Sequence, residues 1–295
     1  MEKARLRRGE QLTGWAFVAP ALFLLTLFML YPILWSLWMS FQVGKGMNFS
    51  FGGFTNMVRL TKDPVFIRAL INTCIFFFAQ VPIMITLALL FAVALNDRTL
   101  KGRGLFRTAI FLPCVTSLIA YSTLFKSMFA TDGVVNNTLM ALHIAGGPIP
   151  WLQDPFWAKV LIILAITWRW TGYNMIFYLA ALQNFDPAIY EAARIDGVPA
   201  WARFKSITIP MLKPVILFTT IISTIGTLQL FDEVSNITQG GPSDATLTLS
   251  LYIYNLTFKF MPSFGYSATV SWVIVLIVAV LSLAQFIIAR DRTSA

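Results

Sequence analysis

ALINTCIFFFAQVPIMITLALLFAVAL, residues 69–95, runs from Arg68 to Asp97 with no charged side chain inside it. As a helix rising about 1.5 Å per residue it is ~40 Å long, more than the roughly 30 Å hydrocarbon core of a bilayer. The rest of the chain is of the same character: 57% of its 295 residues are hydrophobic, 12% are charged and the mean hydropathy is +0.72. Soluble domains run near 25% charged and 45–50% apolar. A water-soluble globule has too few charges here to cover so much apolar surface. The composition excludes a soluble enzyme, a disordered chain and a secreted disulfide scaffold, and it reads as an integral membrane protein.

Outward from that stretch, charge-free windows give five more candidate spans: residues 14–42, 108–125, 160–184, 214–231 and 266–289, the fourth in chain order interrupted only by Arg169. Lipid offers no partner to an open sheet edge, so all six are expected to be helices. The predicted fold class is all-α, with six transmembrane helices. Pro20 or Pro32 is expected to bend the first. The loop 126–159, with Gly133, Gly146, Gly147, Pro148 and Pro150, reads as structured loop with little helix. The organisation is a segment 1–12, a six-helix domain 13–289 carrying an informative loop at 185–213, and a tail 290–295.

Lysine and arginine set the expected orientation. The segments before span one, between two and three, between four and five, and after six hold 14 of the 22 basic residues, among them Lys3, Arg5, Arg7, Arg8, Arg98, Lys101, Arg103 and Arg107. The opposite loops hold seven: Lys45, Arg59, Lys62, Arg68, Lys126, Lys159 and Lys259. The positive-inside rule then places both termini in the cytoplasm. The net charge of +9 is thus a topology signal and not a nucleic-acid footprint. The first apolar run is too long for the h-region of a signal peptide, and no A-x-A cleavage site follows it, so it is expected to be a retained helix.

The loop between spans four and five carries strong local signals. Asp186 suits an N-cap and Pro187 the first helical position. Helix formers follow to Ile195, and Asp196-Gly197 supplies a turn in which glycine can take a left-handed conformation. Pro199 can open a second short helix bearing Trp201 and Phe204, with Pro210 and Pro214 at the entry to span five. Two short helices against the inner membrane face are expected. Small Ala192 and Ala193, with acidic Glu191 and Asp196, suit docking to another protein; an interfacial helix anchored by Tyr190 and Trp201 is the alternative.

Glu191-Ala192-Ala193, Asp196-Gly197, Phe204, Pro210 and Pro214 together resemble the EAA loop of ATP-binding-cassette importer permeases, departing only at Val198, where alanine is usual. The resemblance is to the sugar branch, similar to the maltose and glycerol-phosphate permeases. It extends to Asn72-Thr73, Phe111-Leu112-Pro113, the stretches 168–172 (WRWTG) and 179–183 (LAALQ), and 238–242 (TQGGP). It implies the type I importer permease fold in a bacterial inner membrane, beside a second homologous permease subunit. A dimeric ATPase and an extracytoplasmic solute-binding protein complete the expected assembly. By the same resemblance Glu191, Ala192, Ala193, Asp196, Gly197, Phe204 and Pro210 would seat the ATPase. ATP would be used in that partner, and this chain would hold no cofactor, metal or catalytic residue of its own.

Pathway residues are read from chemistry. Arg169 falls near the middle of its span, where a charge is costly and usually faces a bundle interior or a watery cavity. Tyr173 lies one turn on, on the same face, next to Asn174, and Trp168 precedes Arg169. Aromatic platforms with amide and guanidinium donors suit a sugar's apolar faces and hydroxyl edges. Gln229, Asp232 and Glu233, at the outer end of span five, extend the set. Arg169 has two open readings: an ion pair with one of those acids, or contact with the substrate.

Other chemistries lack their residues. A single histidine, His143, excludes HExxH zinc sites and Ser-His-Asp triads, and there is no GxxxxGK[ST] loop. Cys74 and Cys114 lie in apolar runs. Asn48, Asn136, Asn236 and Asn255 head Asn-x-Ser/Thr triplets that a bacterial-type permease leaves bare. A stand-alone secondary carrier would need acids within its spans for a coupling ion, and the clear spans have none. A membrane enzyme would need clustered His, Asp or Cys. Within the family, permeases for polyol phosphates, amino acids or peptides are the closer alternatives.

Overall fold

The computed structural model describes the backbone of residues 2–97 and 99–291 and the side chains of 14–97 and 99–288. Arg98, residues 292–295 and the side chains of Lys3, Arg5, Arg7, Arg8 and Arg290 lie outside the described residues. Among the described residues five helices are long and apolar enough to cross a membrane unbroken: Gly14–Ser40, Pro64–Asn96, Pro155–Gln183, Ala200–Leu228 and Phe264–Ile288. One bent pair of helices has the length and apolar character of a further span when taken together. The chain packs as two units, residues 1–62 with Ile253–Trp272, and residues 63–252 with 273–295.

In the first unit, α1 (Glu2–Leu25) runs unbroken through Pro20, passes a π turn at Thr26–Leu30 and continues as α2 (Tyr31–Ser40). The irregular turn sits just before Pro32, whose ring and missing N–H disturb the preceding helical turn. A hairpin follows that the all-α reading did not anticipate: β1 (Gln42–Lys45) pairs antiparallel with β2 (Asn48–Phe51). Gly46, at φ 64°, takes the positive-φ position that a two-residue hairpin turn requires. In α3 (Thr55–Lys62), buried Asn56 donates to the carbonyls of Ser40 (3.0 Å) and Gln42 (2.7 Å), holding the hairpin base against the end of span one.

The second unit is built on α4 (Pro64–Asn96) and α8 (Pro155–Gln183). Asp63 caps α4, accepting from the N–H of Val65 at 2.9 Å, and Asp154 caps α8 through the N–H of Phe156 at 2.9 Å. Their core packs Ala88, Ala92 and Leu95 against Met175, Tyr178 and Leu182, with Leu212 from α11 (Ile209–Leu228). The Tyr178 hydroxyl is 2.5 Å from that of Thr219, so the phenol is satisfied inside the apolar layer.

The third expected span is corrected. Instead of one helix over 108–125, α5 (Arg103–Val115) and α6 (Leu118–Met128) meet at a 102° bend. Pro113 weakens the end of α5, and Thr116 and Ser117 adopt extended backbone (ψ 142° and 133°), which ends the helical ladder. α8 crosses α5 at Gly172, where an added Cβ would overlap the Ile110 carbonyl oxygen. A Gly172→Ala change is therefore expected to destabilise this crossing by ~1–3 kcal/mol, the usual cost of overpacking a close contact. Thermal unfolding in mild detergent measures it, and an unchanged midpoint would show that the crossing yields freely.

The expected 126–159 loop is shorter and more helical than read, because α6 runs to Met128 and α8 starts at Pro155, and residues 129–154 between them contain the short helix α7 (Val134–Ala141). Asn136 inside it is 1% exposed. Its amide donates to Ala130, Thr131 and Ile149 carbonyls at 3.3, 3.0 and 3.0 Å and accepts from Ile149 N–H and Trp151 Nε1 at 3.1 and 3.0 Å. Asn136 is thus the loop's structural hub. Asn136→Ala orphans several buried groups at about 1–3 kcal/mol each, and faster limited proteolysis within 126–159 is the expected readout.

The 185–213 loop has the predicted first helix, α9 (Pro187–Ile195), with Asp186 accepting from Ala188 N–H at 2.9 Å and Gly197 at φ 70°. Its second helix differs. α10 (Ala200–Arg203) passes through a π turn at Phe204–Thr208 straight into α11, so the fifth span begins at Ala200 instead of 214. Pro210 follows that π turn inside the continuous helix, and its ring and missing N–H disturb the preceding turn as Pro32 does in span one. Beyond α11 come α12 (Asp232–Ile237) and α13 (Leu249–Tyr254), then a π turn (Asn255–Lys259) and α14 (Phe264–Asp291).

Candidate functional site

Within the second unit, α4, α8, α11 and α12 enclose a cavity of about 350 Å³. Its polar groups come from inside apolar spans. Thr227 donates to Gln80 Oε1 at 2.8 Å, and the Gln80 amide meets the Met84 sulfur at 3.0 Å. Asn174 donates to the Trp170 carbonyl at 3.1 Å and accepts from Ser223 at 3.4 Å. These bonds tie three helices together beneath the open volume.

Arg169 stands on the wall. One of its nitrogens, Nη2, donates to the Thr116 carbonyl at 3.4 Å, an oxygen freed by the break between α5 and α6. Its guanidinium lies over the rings of Tyr121 (5.0 Å) and Trp170 (5.6 Å). Nε and Nη1 are buried with no hydrogen-bond partner. Among the described residues no ion pair joins Arg169 to Asp232 or Glu233. Glu233 is buried and accepts instead from Trp170 Nε1 at 3.3 Å. Burial pushes its carboxyl up from the usual range, opposed by that bond and by the charge of Arg169.

Of the residues singled out in the sequence, Arg169, Tyr173, Asn174, Gln229, Asp232 and Glu233 all line this cavity. Trp168 does not. It lies on another side of α8, stacked on Tyr121 with centroids 5.8 Å apart and rings 11° from parallel. Gln80, Trp170, Ser223 and Thr227 line it and were not singled out. Their signal was present: Gln80 sits inside the charge-free stretch that opened the reading, and Ser223 and Thr227 recur at helical spacing on one face.

On the 185–213 loop, Glu191, Ala192, Asp196 and Gly197 are exposed, as are Ile195 (86%) and Trp201 (69%). Ala193 is a correction: at 7% exposure it packs into its own chain, so its small size serves the seating of α9 and does not face outward. Phe204 is half-buried, 5.6 Å from the Trp201 ring, and Pro210 is exposed. Near the other loop signature, Asn72 donates to the carbonyls of Asp244 (2.8 Å) and Leu247 (3.0 Å), while Thr73 accepts from Leu249 N–H at 3.1 Å. The 238–248 segment is thereby fastened to the start of α4.

Residues 49–292 match the family described as the binding-protein-dependent transport system inner membrane component. The chain belongs to that family. The permease is 69% identical over 292 residues, 98% of each chain, to the lactose transport system permease protein LacF of Rhizobium radiobacter. It is 34% identical to the arabinooligosaccharides transport system permease protein AraP of Bacillus subtilis, covering 93% of this chain and 88% of that one. Among solved structures, a bacterial ABC transporter involved in the import of the acidic polysaccharide alginate shares the fold. Its TM-score is 0.84 at 24% identity, covering 97% of this chain and 99% of that chain. The permease is a multi-pass membrane protein of a transport system, with the helical importer fold read from the sequence.

Proposed function

We propose that this permease forms half of the translocation pathway of an ATP-driven uptake system for a disaccharide of the lactose type. The 69% identity to a lactose permease over 98% of both chains carries the reading, and the cavity chemistry fits it. The aromatic rings of exposed Trp170 and half-buried Tyr173 suit a pyranose face, while Gln80, Asn174, Gln229 and the unpartnered Arg169 nitrogens suit its hydroxyls. The substrate arrives from an extracytoplasmic solute-binding protein and passes between this chain and a second, homologous permease.

The drive comes from elsewhere. The exposed α9 and turn, with Glu191, Ala192, Asp196 and Gly197, form the coupling loop that seats one subunit of a cytoplasmic ATPase dimer. Closure of that dimer on ATP draws the two coupling loops together and turns the pathway outward, a rigid-body switch between two states. Both termini then lie in the cytoplasm. Glu191 supplies a charge for a basic residue of the ATPase, and Gly197 makes the turn that Val or Ala would strain.

Two measurements test this reading. The tagged chain, extracted in mild detergent, should bring down one homologous six-span chain and an ATPase dimer in stoichiometric amount. Deletion of its gene should abolish uptake of labelled lactose. Recovery of the chain alone under several detergents, or undiminished uptake, would overturn the proposal.

A further inference from the structure

The first unit carries an exposed aromatic and basic surface, none of whose residues is among those lining the cavity. Span one presents Tyr31, Trp35 and Trp38 outward, Tyr31 and Trp35 stacked with centroids 6.2 Å apart. The stripe continues past the helix end, because Phe51 of β2 stacks on Trp38 at 5.9 Å. Phe49, on the same face of that strand, meets Phe264 at the start of α14 edge-on at 6.2 Å. The hairpin tip is tied down as well, Gly46 N–H donating to the Pro262 carbonyl at 2.8 Å. Around it Met47 (83%), Phe54 (67%), Phe258 (73%) and Met261 (68%) are exposed.

The charges of this surface have one sign. Residues 41–62 and 253–272 include Lys45, Arg59, Lys62 and Lys259 and no Asp or Glu. These are four of the seven basic residues that the chain places in its less basic set of loops. Arg59 lies 3.8 Å above the Tyr266 ring, and all four are exposed.

We propose that the hairpin Gln42–Phe51 and the segment 255–263 form a membrane-surface anchor that lies at headgroup level and gathers anionic phospholipid. β1 begins two residues after α2 ends, so the hairpin starts at the depth where an apolar helix leaves the hydrocarbon. Aromatic rings prefer that boundary layer, and lysines there meet lipid phosphates. The aromatic stripe from span one into β2 favours lipid over a protein partner, which would need a surface projecting away from the bilayer. The anchor serves either leaflet and is independent of the orientation proposed above.

The test uses the assembled transporter in nanodiscs of phosphatidylethanolamine and phosphatidylglycerol. A Met47→Cys chain, with Cys74 and Cys114 replaced by Ser, carries an environment-sensitive fluorophore. Blue-shifted emission, quenched by nitroxide placed near the lipid glycerol and little by iodide, is expected. Replacing Lys45, Lys62 and Lys259 together by Gln should leave that emission in place but reduce several-fold the excess quenching by nitroxide-labelled phosphatidylglycerol over phosphatidylethanolamine. Full iodide access without lipid quenching overturns the anchor, and an unchanged lipid preference in the triple variant overturns its anionic selectivity. A probe shielded only after purified solute-binding protein is added assigns the surface to that protein and overturns the anchor likewise.

Discussion

Glu191→Lys is expected to abolish uptake while leaving the permease in the membrane at its normal level. Glu191 is exposed on α9 and makes no ion pair among the described residues, so its own fold loses little when the charge is reversed. At a docked interface a like-charge encounter costs several kcal/mol, and each ~1.4 kcal/mol is tenfold in affinity. ATPase recovered with the chain should therefore fall by about a hundredfold or more, and Glu191→Gln should fall between the variant and the native chain. Copurification measured beside sugar uptake separates loss of coupling from loss of the protein. Normal transport by Glu191→Lys would remove the loop from the coupling pathway.

Arg169→Met gives the second large effect. The replacement keeps much of the side-chain volume, removes the charge and deletes the bond to the Thr116 carbonyl. It also removes Nε and Nη1, whose charge-assisted bonds to the proposed substrate would be worth about 1.5–3 kcal/mol. Uptake should accordingly fall by roughly tenfold to a hundredfold, with chain abundance in the membrane nearly unchanged. Arg169→Lys should not restore it, since an ammonium lacks the planar fork that reaches Thr116 while leaving two nitrogens for a ligand. Uptake kinetics read beside immunoblots decide the matter. Disappearance of the chain from the membrane would make Arg169 a structural plug for the broken helix, and unchanged uptake would remove it from the pathway.

How far the sequence carried the reading depends on the range of the interactions involved. The unbroken spans were legible because lipid demands a long, charge-free helix, and residues 69–95 state that locally. α9 was legible for the same kind of reason: Asp186, Pro187 and Gly197 each act within a few residues of themselves. The break at Thr116 was not, because Pro113 alone is compatible with a continuous kinked span. What lets the chain turn is the crossing of α5 by α8 at Gly172 and the Arg169 bond to the freed carbonyl, both distant in sequence. The hairpin was masked by its brevity and by the apolar run it adjoins. In the cavity, charged and aromatic members of α8 stood out, whereas Gln80 and Thr227 acquire meaning only by meeting each other. Trp168 was misplaced because adjacent helix positions point about 100° apart, and proximity in sequence to Arg169 says nothing about sharing its face.

The break also bears on how the chain is made. At 13 residues α5 is only about 20 Å long, short of the roughly 20 apolar residues that let a segment settle across a bilayer by itself. The Thr116 carbonyl freed at the bend finds its donor in Arg169 on α8, a helix that leaves the ribosome later. α5 by itself is therefore expected to insert poorly, and its seating to depend on α8, so the order in which the chain is synthesised bears on how this part of it folds.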